Sequence, residues 1–252
     1  MEQKKQRIGV FPFLLFIIFV ISACALPLGN QSQEVINTST PQITEAKGKS
    51  PFENIGCLWQ TDMEAVCNQG SIPQKMGCDT LTIPSDYLGL LSPESVFVIC
   101  SYRADLTHRN DDQDLKGLWD SGCKTPWKQR LLVYNDGDYL LVSDREDLKY
   151  NFAPVTSQDQ ALGYAIAATG FFPKFDLDGL EGFRILADPL QITNVQSSSE
   201  GFDLILYSQQ LCGCGPHTTF MQKVKVTQSG DVKILESIPA FENPAEDSLC
   251  VD

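Results

Sequence analysis

Eight cysteines beyond residue 50 constrain this 252-residue chain more than any other feature: Cys57, Cys67, Cys78, Cys100, Cys123, Cys212, Cys214 and Cys250. In a chain exported to an oxidising compartment, an even count reads as a disulfide framework, with roughly a hundred complete pairings open to it. Five of the eight precede residue 125 and three follow residue 210. With odd counts on both sides, full pairing requires at least one bridge from the early group to the late one. Such a bridge closes a loop of about 100 residues, worth ~4.7 kcal/mol in the chain-entropy account.

Export itself is legible at the N-terminus. Lys4, Lys5 and Arg7 form a short basic region, residues 10–21 are an apolar run, and Ser22 and Ala23 are small. Twelve helical residues span roughly 18 Å, too short for a hydrocarbon core of about 30 Å. The run therefore reads as an export signal rather than a permanent membrane span. Its end, Ile21-Ser22-Ala23-Cys24, resembles the bacterial lipobox. The resemblance implies that the Cys24 thiol receives a diacylglyceryl group and that cleavage falls between Ala23 and Cys24. Acyl chains on Cys24 then hold the protein at a membrane, each buried methylene contributing about 0.8 kcal/mol.

Residues 1–23 carry three basic groups and one acidic, so their removal takes the formal net charge from −13 to −15. That excess of negative charge disfavours nucleic acid as a partner and anionic lipid headgroups as a docking surface. Residues 24–50, rich in Ser, Thr, Gln and Asn, read as a lipid-anchored flexible tether with a reach of about 28 Å. The acidic run 110–114 reads as a solvated loop.

Beyond the tether the expected fold is α+β. Residues 51–128 read as loop-rich and disulfide-stapled, with short strand-like runs at 80–83 and 96–102. Residues 129–252 read as an α+β part of the same folded unit. Here runs 130–134 and 139–143 flank Asn135-Asp136-Gly137-Asp138, a hairpin signal. Residues 158–169 form a helix opened by a Ser157/Gln160 capping box and stopped at Gly170, with an apolar stripe at helical spacing. Strands at 183–187, 190–196, 202–209, 219–227 and 231–236 complete an antiparallel meander, giving one helix packed on a curved sheet. This element order is similar to that of cystatin-like and PepSY-type modules, a likeness that implies no particular activity.

Three constellations bear on chemistry. Cys212, Cys214 and His217 fall within the stretch LCGCGPHTTF. Two thiolates and an imidazole are candidate ligands for copper or zinc, and Cys-x-Cys is a candidate exchange pair. The structural alternative is that strand 202–209 continues, so that both sulfurs face one neighbouring segment and enter separate bridges. His217 is then a turn residue. The acids of Phe175-Asp176-Leu177-Asp178-Gly179-Leu180-Glu181 resemble part of a calcium loop but lack its distant bidentate Glu. Trp59, Trp119 and Trp127, with Tyr87 and Tyr102, are candidates for stacking on a ligand or for ordinary packing.

No G-x-S-x-G, H-E-x-x-H, Walker or dinucleotide signature occurs, and there are two histidines, His108 and His217. The sequence therefore points to a non-catalytic, lipid-anchored binding or scaffolding protein of the bacterial cell envelope. It has no cofactor, and its ligand is a peptide, a protein or an envelope polymer. The alternatives are a metal-handling or thiol-exchange lipoprotein using Cys212, Cys214 and His217, and a cell-wall polymer hydrolase acting through carboxylates.

Overall fold

In the computed structural model the described residues are 50–93, 95–103 and 116–251. The signal segment, Cys24, the tether before residue 50, the acidic run 110–114 and His108 lie outside them. Among the described residues strand outweighs helix, 3-10 turns included, 40 % to 17 %, so the fold is α+β with the β part dominant.

The early strands are β1 (Cys57–Trp59), β2 (Glu64–Cys67), β3 (Thr80–Thr82), β4 (Val96–Arg103), β5 (Trp119–Ser121), β6 (Trp127–Asn135) and β7 (Asp138–Val142). They form one antiparallel sheet in the order β1-β2-β3-β4-β6-β5. The free edge of β6 is shared: residues 127–129 pair with β5 and residues 131–135 with β7. The segment expected to be loop-rich thus contains β1 to β5, and β6 runs across the expected boundary at residue 128. The runs at 80–83 and 96–102 correspond to β3 and β4, whereas β1, β2 and β5, of three or four residues, are too short to display alternation and read as loop.

The later strands are β8 (Arg184–Ile185), β9 (Val195–Ser198), β10 (Gly201–Gln209), β11 (Gly213–Cys214), β12 (Thr218–Thr227), β13 (Val232–Glu242) and β14 (Cys250–Val251). A second sheet has the order β8-β13-β12-β10-β9, while β11 and β14 pair alone. Expected strands 202–209 and 219–227 coincide with β10 and β12. The others differ. β8 is cut to two residues because Leu186 and Ala187 both donate to the Ala240 carbonyl, and Pro189 has no N–H to continue a ladder. β9 begins only at Val195, since Thr193 N donates instead to the Lys174 carbonyl. β13 runs on to Glu242 past Pro239, which sits opposite Phe220 beside a register shift, where a strand tolerates proline.

Among the described residues the α-helices are α1 (Ile72–Lys75), α2 (Arg145–Phe152) and α3 (Gln158–Thr169). α3 has the bounds its sequence predicts. Ser157 Oγ accepts from Gln160 N at 3.1 Å, and Gly170 closes the helix at φ +69°. The expected apolar stripe, however, is a helix enclosed on all sides: every residue from Gln160 to Ala168 is buried. Gln160 also departs from a simple capping box. Its Oε1 accepts from Thr156 N at 2.8 Å, and its Nε2 donates to the carbonyls of Ser92, Phe152 and Pro154 at 3.3, 3.2 and 3.0 Å.

The early sheet is buried on both faces, and alternate residues divide between two clusters. Phe97, Leu131 and Val133 join α3, Leu148 and Phe152 of α2, and Phe202, Leu204, Val224 and Val226 of the second sheet. Val98 and Leu132 join Phe52, Leu81 and the bridged Cys78 and Cys100. This two-faced burial explains the continuous Leu-Leu-Val run in β6.

Tyr164 of α3 is fully buried, its hydroxyl donating to the Gly230 carbonyl at 3.0 Å. Burial, reinforced by the charges of Asp231 and Glu146, pushes its pKa well above the ordinary 10.0. Burial likewise raises Tyr207. A raised phenol favours folding while it stays protonated, so stability is fully present below pH 10.0 and falls as pH rises toward the folded-state values. Tyr164→Phe will flatten that alkaline slope, at a loss of ~1 kcal/mol at neutral pH for the missing hydrogen bond. Urea unfolding of both proteins on either side of pH 10.0 checks this; an unchanged slope would contradict the assignment.

Candidate functional site

The four bridges are Cys57–Cys67, Cys78–Cys100, Cys123–Cys212 and Cys214–Cys250. Two are direct cross-strand pairs, Cys57 opposite Cys67 and Cys214 opposite Cys250. Cys78–Cys100 lies in the core. Cys123–Cys212 joins the early group to the late one across 89 residues. Four disulfides are consistent with an oxidising, extracytoplasmic location.

These pairings correct the geometry expected around LCGCGPHTTF. β10 stops at Gln209, and Gly213, which opens β11 at φ +97°, begins a separate strand. Cys212 and Cys214 therefore do not face one segment as neighbours on a strand; they reach Gly122–Cys123 and β14 respectively. Gly215 then passes so close to the next segment that an added Cβ would lie 2.2 Å from the Glu246 carbonyl oxygen.

His217 is 2 % exposed rather than an idle turn residue. Its Nε2 lies 3.2 Å from the Gly213 carbonyl, which only accepts, so that nitrogen donates. Nδ1 faces Glu246 Oε2 at 3.5 Å. Thr218 continues the tie by donating to Glu242 at 2.8 Å, and Glu242 and Asp247 both hold Arg184. Among the described residues no group of three or more His, Cys, Asp or Glu is arranged to hold a metal ion.

The calcium-like loop is occupied from within. Lys174 Nζ lies 3.9 Å from Asp176 and donates to the Asp178 carbonyl at 3.4 Å, so an ammonium sits where a cation would bind. The aromatic candidates are half-buried. Trp119 fills the space beside the helix stop, where a Cβ on Gly170 would lie 2.4 Å from its ring. Arg103 lies over Trp127 at 5.9 Å, and Tyr87 tilts against Phe175 at 5.4 Å.

Missed from the sequence was a cleft of about 560 Å³ between α1, α2 and the early sheet. Lys75 and Gly77 border it at the end of α1, Tyr102 and Arg130 on the sheet, Lys116 beside β5 and Asp147 on α2. Ser71 Oγ caps α1 by accepting from Gln74 N, and Pro73 near its start suits a helix opening. Arg130 is 3 % exposed; its Nε donates to the Lys116 carbonyl at 2.7 Å, and its Cζ lies 5.0 Å from the Tyr102 ring. Asp144 caps α2 and takes a hydrogen bond from Lys116 at 2.7 Å. That bond is the chief cause lowering the Asp144 pKa. The signal that marks this cleft in the sequence is Arg130 itself, a cation abutting the buried run Leu131-Leu132-Val133.

Compared with protein-family models, curated proteins and solved structures, the chain matches none. Its class is therefore defined by its own fold and bridges: a disulfide-stapled α+β domain.

Proposed function

We propose that the protein is a lipid-anchored, extracytoplasmic binding module of a bacterial cell envelope. Acyl chains on Cys24 hold it at the membrane, residues 25–50 tether it, and the folded domain presents its cleft to a peptide, protein or envelope-polymer ligand without catalysing a reaction. Its finer architecture is one helix laid across a curved sheet, supported by the cluster that α3 shares with β10 and β12.

One observation carries the reading. Cys212 and Cys214 are bridged to two different partners, which leaves no thiolate beside His217 for a metal or for disulfide exchange. Chemistry at this corner requires thiolates, whereas a binding module requires a fixed scaffold. The cleft supports the same reading: its volume lies within the range of small-molecule pockets, and Cys78–Cys100 ties the segment after α1, on one side of it, to β4, which carries Tyr102 on another.

Alkylation of the folded, oxidised protein followed by peptide mass mapping tests this. The expected result is no alkylation at the eight cysteines, with Cys123–Cys212 and Cys214–Cys250 peptides recovered as linked pairs. Free thiols at Cys212 and Cys214, protected by copper or zinc, would overturn the reading in favour of metal handling or thiol exchange.

A further inference from the structure

A second hollow, of about 290 Å³, opens beside His217, and Phe172, Leu180, Phe183 and Phe241 give it an apolar wall. The rings of that wall are held in place. Phe183 meets Phe241 edge-on at 5.7 Å, and Phe172 and Phe241 lie 6.3 and 6.0 Å from the fully buried Tyr207. Phe172 is still 41 % exposed, although its N–H and carbonyl are both bonded to Tyr207. A ring fixed by its backbone and open to water loses little freedom when an apolar group covers it.

The polar side of the hollow lacks donors. His217 and Glu246 both border it. Because His217 Nε2 donates to the Gly213 carbonyl, Nδ1 of the neutral ring is an acceptor, and it faces Glu246 Oε2 at 3.5 Å. Neither atom has a hydrogen-bond partner. The other carboxylate oxygen, Oε1, accepts from Asn243 at 3.0 Å. Among the described residues no lysine or arginine pairs with Glu246, since Arg184 is taken by Glu242 and Asp247. The Glu246 side chain is 27 % exposed, so a cation at the rim reaches its carboxylate. Gly179 and Leu180, also on the lining, are flanked in the chain by Asp178 and Glu181. Both acids are exposed, and neither side chain makes an ion pair among the described residues. Lys174 is turned toward Asp176 and the Asp178 carbonyl.

We propose that this hollow takes a basic peptide segment with an apolar side chain. The apolar side chain packs on Phe172, Leu180, Phe183 and Phe241, and flanking lysine or arginine cations pair with Glu246, Asp178 and Glu181. The proposal rests on the binding-module reading and selects one member of its ligand class. A carboxylate without a cation binds an ammonium or guanidinium through charge-assisted hydrogen bonds. The formal net charge of −13 draws cationic segments toward the surface, and the apolar wall sets where such a segment docks.

The test uses the full chain in detergent, titrated calorimetrically at low salt with the acetylated peptide amides Lys-Phe-Lys, Gln-Phe-Gln and Lys-Gly-Lys. Lys-Phe-Lys is expected to bind saturably at a single site, and each of the others roughly tenfold or more weakly, as loss of the cations or of the ring requires. The double variant Asp178→Asn/Glu181→Gln should weaken Lys-Phe-Lys binding roughly tenfold. Its unfolding temperature should not change, because neither side chain has a partner to lose. Glu246→Gln should weaken the same peptide to a similar degree. No saturable binding of Lys-Phe-Lys, equal binding of either other peptide, or unchanged affinity in either variant overturns the proposal. Failure of the binding-module reading appears elsewhere, as free thiols at Cys212 and Cys214.

Discussion

Replacing Cys123 and Cys212 together by alanine will destabilise the domain by about 4–5 kcal/mol, the largest effect of removing any one bridge. The reason is loop length. This bridge closes 89 residues, against 10, 22 and 36 for Cys57–Cys67, Cys78–Cys100 and Cys214–Cys250. The entropy removed from the unfolded chain grows with the logarithm of loop length, which puts the shortest bridge nearer ~2.7 kcal/mol. Without Cys123–Cys212 the connection between Cys123 and the end of β10 has no other covalent tie to the early sheet. Denaturant unfolding of the Cys123/Cys212 and Cys57/Cys67 double variants decides the matter. Equal losses would show that loop closure does not set the stability of this domain.

Gln160→Leu will cost roughly 3–5 kcal/mol although leucine is a better helix former and fits a buried site. Gln160 is 5 % exposed. Its amide satisfies the carbonyls of Ser92, Phe152 and Pro154 and the N–H of Thr156. Leucine leaves four backbone groups without that partner; the Phe152 carbonyl, whose bond is fully buried, costs about 1–3 kcal/mol and the three part-buried groups less each. The groups lie on three segments: the turn after α2, the entry to α3, and Ser92 before β4. Loss of the amide therefore loosens the junction as well as the helix end. Ser157→Ala is the matched comparison, since it removes only the helix cap and should cost about 1 kcal/mol. Chemical unfolding of the two variants should separate them clearly; similar losses would reduce Gln160 to an ordinary capping residue.

Where a single short stretch dictates its own conformation, the sequence was readable. Asn135-Asp136-Gly137-Asp138 turns with Asp136 at φ +48° and Gly137 at φ +103°, the backbone a two-residue hairpin demands. Ser157 and Gly170 mark both ends of α3 because a cap and a left-handed stop are local devices. The alternation in β10 and β12 is likewise local. α2 escaped notice for the opposite reason: only Leu148 and Phe152 of its eight residues are buried, too few to reveal a helical period. β13 runs six residues beyond the expected end at 236, and the register shift that accommodates Pro239 opposite Phe220 leaves no local mark in the sequence.

Bridge connectivity and the cleft lie further from what sequence provides. Counting cysteines on each side requires a long-range bridge but does not choose Cys123 and Cys212. That choice depends on where β10 ends and on the backbone reversal at Gly213. The cleft gathers residues 75, 116, 130 and 147 from different elements, and no spacing rule relates them. His217 illustrates the same limit. Its neighbours in sequence suggest a ligand cluster, whereas its neighbours in space are the Gly213 carbonyl and Glu246.

The proposed lipid on Cys24 decides where the domain is held. Membrane and soluble fractions from bacteria expressing the full chain, compared with those expressing Cys24→Ser, test that directly. Acyl chains on the Cys24 sulfur predict the parent protein in the membrane fraction after a high-salt wash and the serine variant released from it. Equal membrane association of the two would contradict lipid anchoring through Cys24.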